Sequence, residues 1–142
     1  MYKHIVDKDS GWIVRQDVRI YYERGRDSEI KKGGLTVGFG ANDEKIGPEF
    51  QFGHIMGDYY DESVLLIKTA WGGKSLAVDF RSPGAGDITF PINERLKERI
   101  DNGEVVVGRY YRDAMAKVHE VLGGLEKHFP EYEGRAYEIA GF

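Results

Sequence analysis

The chain has 142 residues, enough for a domain with its own core, and 41% hydrophobic against 31% charged residues is an ordinary balance for a globular fold. The net charge of -4 arises from interleaved acids and bases without a basic block, so nucleic acid is not an expected partner, and no apolar run nears the ~18–20 residues that a bilayer crossing needs. The absence of cysteine excludes disulfides, thiolate nucleophiles and cysteine-held zinc.

Met1–His4 leads into charged residues, so no signal peptide is expected. Trp12–Val14 is a brief apolar run, and Val18–Tyr22, rich in β-branched and aromatic residues, predicts a strand. Glu23–Gly34 is charged, ends in Gly33-Gly34 and reads as a hairpin tip or loop. Leu35–Phe39 is expected to be a further short strand. After the turn-rich Gly40–Gly47, Pro48 suits the first position of a helix and Glu49 complements its N-terminus. Phe50, Phe52, Ile55, Met56 and Tyr59 or Tyr60 supply an apolar face, which predicts a helix over Pro48–Tyr60.

Val64–Ala70 is nearly all apolar, as a strand covered on both faces of a parallel sheet would be, and Trp71-Gly72-Gly73 ends it. Residues 77–107 read as a surface excursion, with a loop at Ser82–Gly86, a short helix at Glu94–Ile100 and a short strand at Val105–Val107. Tyr110–Phe129 is the strongest helical pattern, carried by Tyr111, Ala114, Met115, Val118, Val121, Leu122, Leu125 and Phe129, weakened by Gly123-Gly124 and stopped by Pro130. Ala136–Phe142 predicts a last strand. The alternation of strands and helices implies an α/β fold with a parallel sheet, and no domain boundary is visible within residues 1–142.

The segment Thr69–Leu76 is the first candidate for chemistry, because sites in open α/β sheets form beyond the carboxyl ends of the strands. Gly72-Gly73 allows a sharp turn and a close approach of backbone to ligand, and an exposed N–H there suits a developing oxyanion. A plain strand-to-loop turn without chemistry is the reading that the glycine pair by itself favours. Gly73-Lys74-Ser75 ends like a phosphate loop, but the glycine that the pattern needs upstream is Lys68. A nucleophile elbow at Ser75 would need a glycine where Ala77 stands. Asp79 and Arg81 follow closely and either reach a polar substrate or form a surface ion pair. Ser10, Ser28, Ser63 and Ser82 lack a nucleophile's setting. Among the histidines, His54 is expected to be packed and His119 and His128 solvated. No histidine pair, His4 included, has metal-ligand spacing, so neither metal nor cofactor is expected. Gly40–Asp43 reads as turn and cap residues.

Ile46–His54 (IGPEFQFGH), Val64–Leu76 (VLLIKTAWGGKSL), Tyr110–Leu122 (YYRDAMAKVHEVL) and Tyr137–Phe142 (YEIAGF), taken in this order, resemble the sialate O-acetylesterase-type domain of the SGNH hydrolases, a group of carbohydrate esterases. The resemblance runs from about Asp17 onward. It implies a three-layer α/β/α sandwich with a parallel sheet, of the SGNH or flavodoxin-like kind, and a serine esterase that removes acetyl groups from carbohydrate through an acyl-enzyme. Gly73, with Gly72 beside it, matches the family's oxyanion-hole glycine. Lys74, Ser75, Asp79 and Arg81 become candidate substrate-binding residues, and export to the periplasm or beyond is a frequent property of the family.

The family's Gly-Gln-Ser, Trp-x-Gln-Gly and Asp-x-x-His motifs do not occur in this sequence. The expectation is therefore an incomplete domain, a fragment of a longer reading frame more readily than a degenerate homologue. By itself it would be inactive and prone to self-association through exposed sheet edges. A non-catalytic carbohydrate-binding or structural module on the same fold is the alternative, and nucleotide binding through Gly73-Lys74-Ser75 ranks last.

Overall fold

The computed structural model describes residues 5–7, 11–24 and 29–142, so that His4, Ser10, Ser28 and part of the Glu23–Gly34 segment lie outside the described residues. It is an α/β protein, divided into two compact units over residues 1–71 and 72–142.

The first unit is built on a strand rich in aromatic and β-branched residues. β3 (Arg15–Glu23) lies at the centre of a three-stranded sheet, between β4 (Ile30–Leu35) and β5 (Val64–Lys68). β3 and β5 run parallel, with Val18 beside Val64 and Tyr22 beside Lys68. β4 returns antiparallel to β3, as strands joined by a short connection must, so the sheet is mixed where the alternation of elements implied a parallel one. The short pair β1 (Val6–Asp7) and β2 (Gly11–Trp12) forms a separate ladder.

Val18, Ile20 and Tyr22 alternate onto one face of β3 and meet Leu35, Phe39 and Phe50, with Val64, Leu66 and Ala70 packed against them. Alternation places these three on one face of β3, and Tyr21, on the other face, is fully buried as well. Of the Glu23–Gly34 segment expected as a hairpin tip or loop, the part from Ile30 on belongs to β4, with Gly33-Gly34 opposite an irregularity between Arg15 and Arg19. A side chain at Gly34 would stand 2.7 Å from the Arg15 carbonyl oxygen, so the strand crosses the bulge only with glycine there. The strand expected over Leu35–Phe39 instead ends at Leu35, and residues 36–47 form a loop closed by Gly38 and Gly40, whose N–H groups both donate to the Lys45 carbonyl at 3.0 Å.

α1 (Pro48–Tyr59) starts at the proline, as its sequence predicts. The buried face differs from the expected one. Phe50, Gly53 and His54 are buried, while Phe52, Ile55 and Tyr59 are exposed. The reason is close approach. A Cβ on Gly53 would come within 2.4 Å of Leu35 and 2.9 Å of Leu66, and one on Gly57 within 2.5 Å of Val18, so the helix rests on the sheet through its glycines. His54 is packed as expected, its ring edge-on to Phe50 with centroids 4.9 Å apart.

In the second unit, α2 (Glu94–Asp101) is capped by Asn93, whose side-chain oxygen accepts from the Leu96 N–H at 2.8 Å. Val105–Val107 is not a strand: Val105 N–H returns to the Arg99 carbonyl at 2.9 Å, and the segment turns into the next helix at Gly108. The long helix predicted over Tyr110–Phe129 is split into α3 (Arg109–Gly123) and α4 (Leu125–His128), because Gly124 leaves helical geometry at the glycine pair. Val121 and Phe129 are its fully buried apolar residues. Ala136–Phe142, expected to be a strand, has no regular structure and is exposed throughout. A strand needs a neighbour for its backbone groups, and among the described residues this segment has none.

Candidate functional site

The residues singled out from the sequence all follow β5 in one stretch. Gly72 and Gly73 form an exposed turn, with Gly73 in the left-handed region at φ +70°. Nothing lies within 4 Å of where a Cβ on either would stand. Neither N–H donates to a described residue, so the turn presents open backbone donors to solvent. A donor of this kind can meet an oxyanion at hydrogen-bond distance.

Beyond it, the chain fastens itself. Ser75 Oγ accepts from the Val78 N–H at 3.1 Å, while Asp79 Oδ2 accepts from the Ser75 N–H at 2.9 Å. The two side chains cap one tight turn reciprocally, which is the arrangement that otherwise begins a helix. Val78 is buried within it. Its carbonyl accepts from the Gly108 N–H at 2.8 Å, and the Asp79 carbonyl accepts from the Tyr110 N–H at 3.0 Å, so the turn is docked on the start of α3. The Lys74 ammonium stands 4.6 Å over the Tyr110 ring, a cation–π contact that holds the lysine beside the glycine turn.

Arg81 forms no ion pair with Asp79. Its guanidinium donates to the carbonyls of Ala77, Ala85, Gly86 and Asp87, at 3.4, 2.8, 2.9 and 2.6 Å, and lies 5.7 Å from the Phe90 ring centre. It is the hub around which the loop over residues 82–87 is wound. Thus Ser75 and Asp79 meet in one cap, while Lys74 turns to Tyr110 and Arg81 to the loop that follows. No hydrogen bond joins a serine hydroxyl to a histidine among the described residues.

Two clusters in the first unit escaped the sequence reading. Lys68, the last residue of β5, lies at the carboxyl edge of the parallel pair. Its ammonium meets Glu49 Oε2 at 2.9 Å, donates to the Phe39 carbonyl and sits 4.5 Å over the Tyr22 ring. Only 13% of the lysine and 9% of the glutamate side chain is exposed. Glu49 also accepts from the Gly47 N–H at 3.0 Å, so one carboxylate caps α1 and neutralises the strand end. The signal was present, as a lysine inside an otherwise apolar strand.

The second cluster surrounds an open depression of about 610 Å³ lined by Ile13, Val14, Arg15, Gln16, Asp17, His54 and Asp58. Arg15 pairs with both Asp17 and Asp58 and donates to the His54 carbonyl at 3.1 Å. The hydrogen bond from Arg15 holds the Asp17 carboxyl below the usual carboxylate range, against a smaller opposing effect of burial. Both acids of this depression are thus engaged by the one guanidinium, which leaves the cluster with one carboxylate charge in excess. No group of three or more His, Asp or Glu side chains suited to a metal ion occurs among the described residues, and no described helix is long and apolar enough to cross a membrane.

No protein-family description, curated protein or solved structure matches the chain.

Proposed function

We propose that this chain carries the oxyanion-hole glycine turn of a carbohydrate O-acetyl esterase of the SGNH type, on a three-layer α/β/α sandwich. The observation that carries the reading is Gly73. It follows the end of a strand in parallel pairing, holds a left-handed backbone, has an N–H with no partner among the described residues, and has open space where a Cβ would stand. In the reaction, a serine oxygen attacks the acetyl carbonyl of an acetylated sugar. The negative charge that gathers on the carbonyl oxygen is received by the Gly73 N–H, with Gly72 beside it. Such a donor contributes roughly 3–4 kcal/mol to the transition state. Lys74, held over Tyr110, flanks the turn with a cation suited to a polar substrate. Ser75, Asp79 and Arg81 keep the turn in shape, and the serine nucleophile and its acid–base pair come from motifs that this sequence does not contain.

The specific support for the other reading, a non-catalytic carbohydrate-binding or structural module, is that Ser75 spends its hydroxyl on a cap. Sequencing the DNA on both sides of the coding segment separates the two. In-frame Gly-Gln-Ser upstream and Trp-x-Gln-Gly downstream are expected for the esterase, and Gly73→Pro in that longer protein should then lower kcat by roughly 10²–10³-fold. Stop codons close on both sides would overturn the esterase reading and leave the module.

A further inference from the structure

β5 pairs with β3 along one edge, and along the other it has no strand partner among the described residues. Val64–Lys68 is apolar up to its last residue, contains no proline, and is half-buried at every position. Natural sheets blunt such an edge with inward charges, bulges or a covering element, because its unpaired backbone groups are a template for another strand.

The same chain holds a segment with the complementary deficiency. Residues 136–142 make no hydrogen bond to a described residue, and their apolar side chains stand in solvent: Tyr137 is 55% exposed, Ile139 52% and Phe142 90%. Aromatic and β-branched residues in alternation suit a pleated strand.

We propose that the segment Arg135–Phe142 of one copy adds as a parallel strand to the free edge of β5 in a second copy, the exchange being reciprocal. Pattern and charge select the register. With Ile139 beside Leu66, Tyr137 falls beside Val64, and both continue the face on which Val64 and Leu66 pack against the core. Arg135 then falls beside Glu62, next to Asp61, both exposed acids just before β5. A slip of one residue would turn Glu138 onto the core face. The antiparallel orientation would carry Arg135 to the Lys68 end, away from both acids. Reciprocal exchange uses the same two surfaces on each copy and closes as a two-fold dimer.

Sedimentation velocity over a concentration series, with hydrogen–deuterium exchange at each concentration, tests this on the full chain. A dimer is expected, with the Val64–Lys68 and residue 136–142 amides gaining protection as it forms. Removing residues 134–142 should abolish it. Ile139→Glu should weaken it strongly without altering the fold, since that side chain is exposed in the monomer. Glu62→Arg or Arg135→Glu alone should each raise the dimer Kd by roughly two- to five-fold, and the two together should restore it. A monomer at every concentration, a dimer that survives the truncation, or protection of residues 136–142 in the monomer would each overturn the proposal.

Discussion

At the scale of single residues, backbone geometry decides what the second unit tolerates. Gly108 has φ +69°, and a Cβ there would stand 2.4 Å from the Arg81 carbonyl oxygen, a backbone atom that cannot swing aside. Gly73 has nearly the same φ but open space around it. Gly123 ends α3 with neither constraint. The three should therefore separate in urea unfolding. Gly123→Ala is expected to stabilise by about 0.5–1 kcal/mol, and Gly73→Ala to destabilise by about 1–2 kcal/mol from the left-handed backbone alone. Gly108→Ala should cost more than Gly73→Ala, because steric overlap adds to the same backbone strain. Asp17 makes a prediction in pH. Its carboxyl is held below the usual range by Arg15, so its contribution is fully present above the ordinary carboxylate value and is lost as pH falls through the lowered one. Asp17→Asn should lower the urea midpoint at neutral pH and flatten its decline on the acid side, measured from neutral pH down to the onset of acid unfolding.

At the scale of elements, β5 is tied to α1 by Lys68 and Glu49. A pair this deeply buried costs desolvation on both sides, and the loss of one partner strands the other charge. Lys68→Met or Glu49→Gln alone should each destabilise by about 3–5 kcal/mol, whereas the double substitution should cost less than the sum of the two. Additive effects in the double-mutant cycle would mean that the pair is not coupled. These elements also show what local sequence can and cannot reveal. Composition marked β3, β5 and the start of α1, because β-branched runs and a helix-starting proline act within a few residues. The buried face of α1 was misread because its packing depends on two glycines, which carry no hydrophobic signal, and on the Leu35, Leu66 and Val18 side chains that they admit. The segment Glu23–Gly34, read as a hairpin tip or loop, gives its residues from Ile30 on to β4 for a related reason: a bulge opposite Gly33-Gly34 makes the same demand on backbone space as a turn. The Ser75–Asp79 cap and the Arg81 hub are also local in sequence, yet Asp79 and Arg81 read equally well as substrate ligands. The groups that occupy them are backbone N–H and carbonyls, which every sequence has and no sequence advertises.

At the scale of the whole molecule, an open donor and a complete catalytic site are different things. In the proposed reading, the Gly72–Gly73 turn would stabilise an oxyanion only after something has attacked the carbonyl. Attack by a serine needs a base within hydrogen-bond reach of its hydroxyl. In this chain Ser75 Oγ is engaged as the acceptor of a backbone N–H, and no other described serine hydroxyl meets a histidine. The glycine turn is exposed, and at an N–H in water the solvent competes for the donor and removes most of its electrostatic advantage. The purified 142-residue chain should therefore release p-nitrophenol from p-nitrophenyl acetate at the buffer rate, and Gly73→Pro should leave that rate unchanged. A burst of p-nitrophenol stoichiometric with protein would reveal an acyl-enzyme and a nucleophile that the described hydrogen bonds do not show. If that burst vanished in Gly73→Pro but persisted in Ser75→Ala, the oxyanion role of the turn would stand, and the attacking oxygen would have to be sought among the other serines.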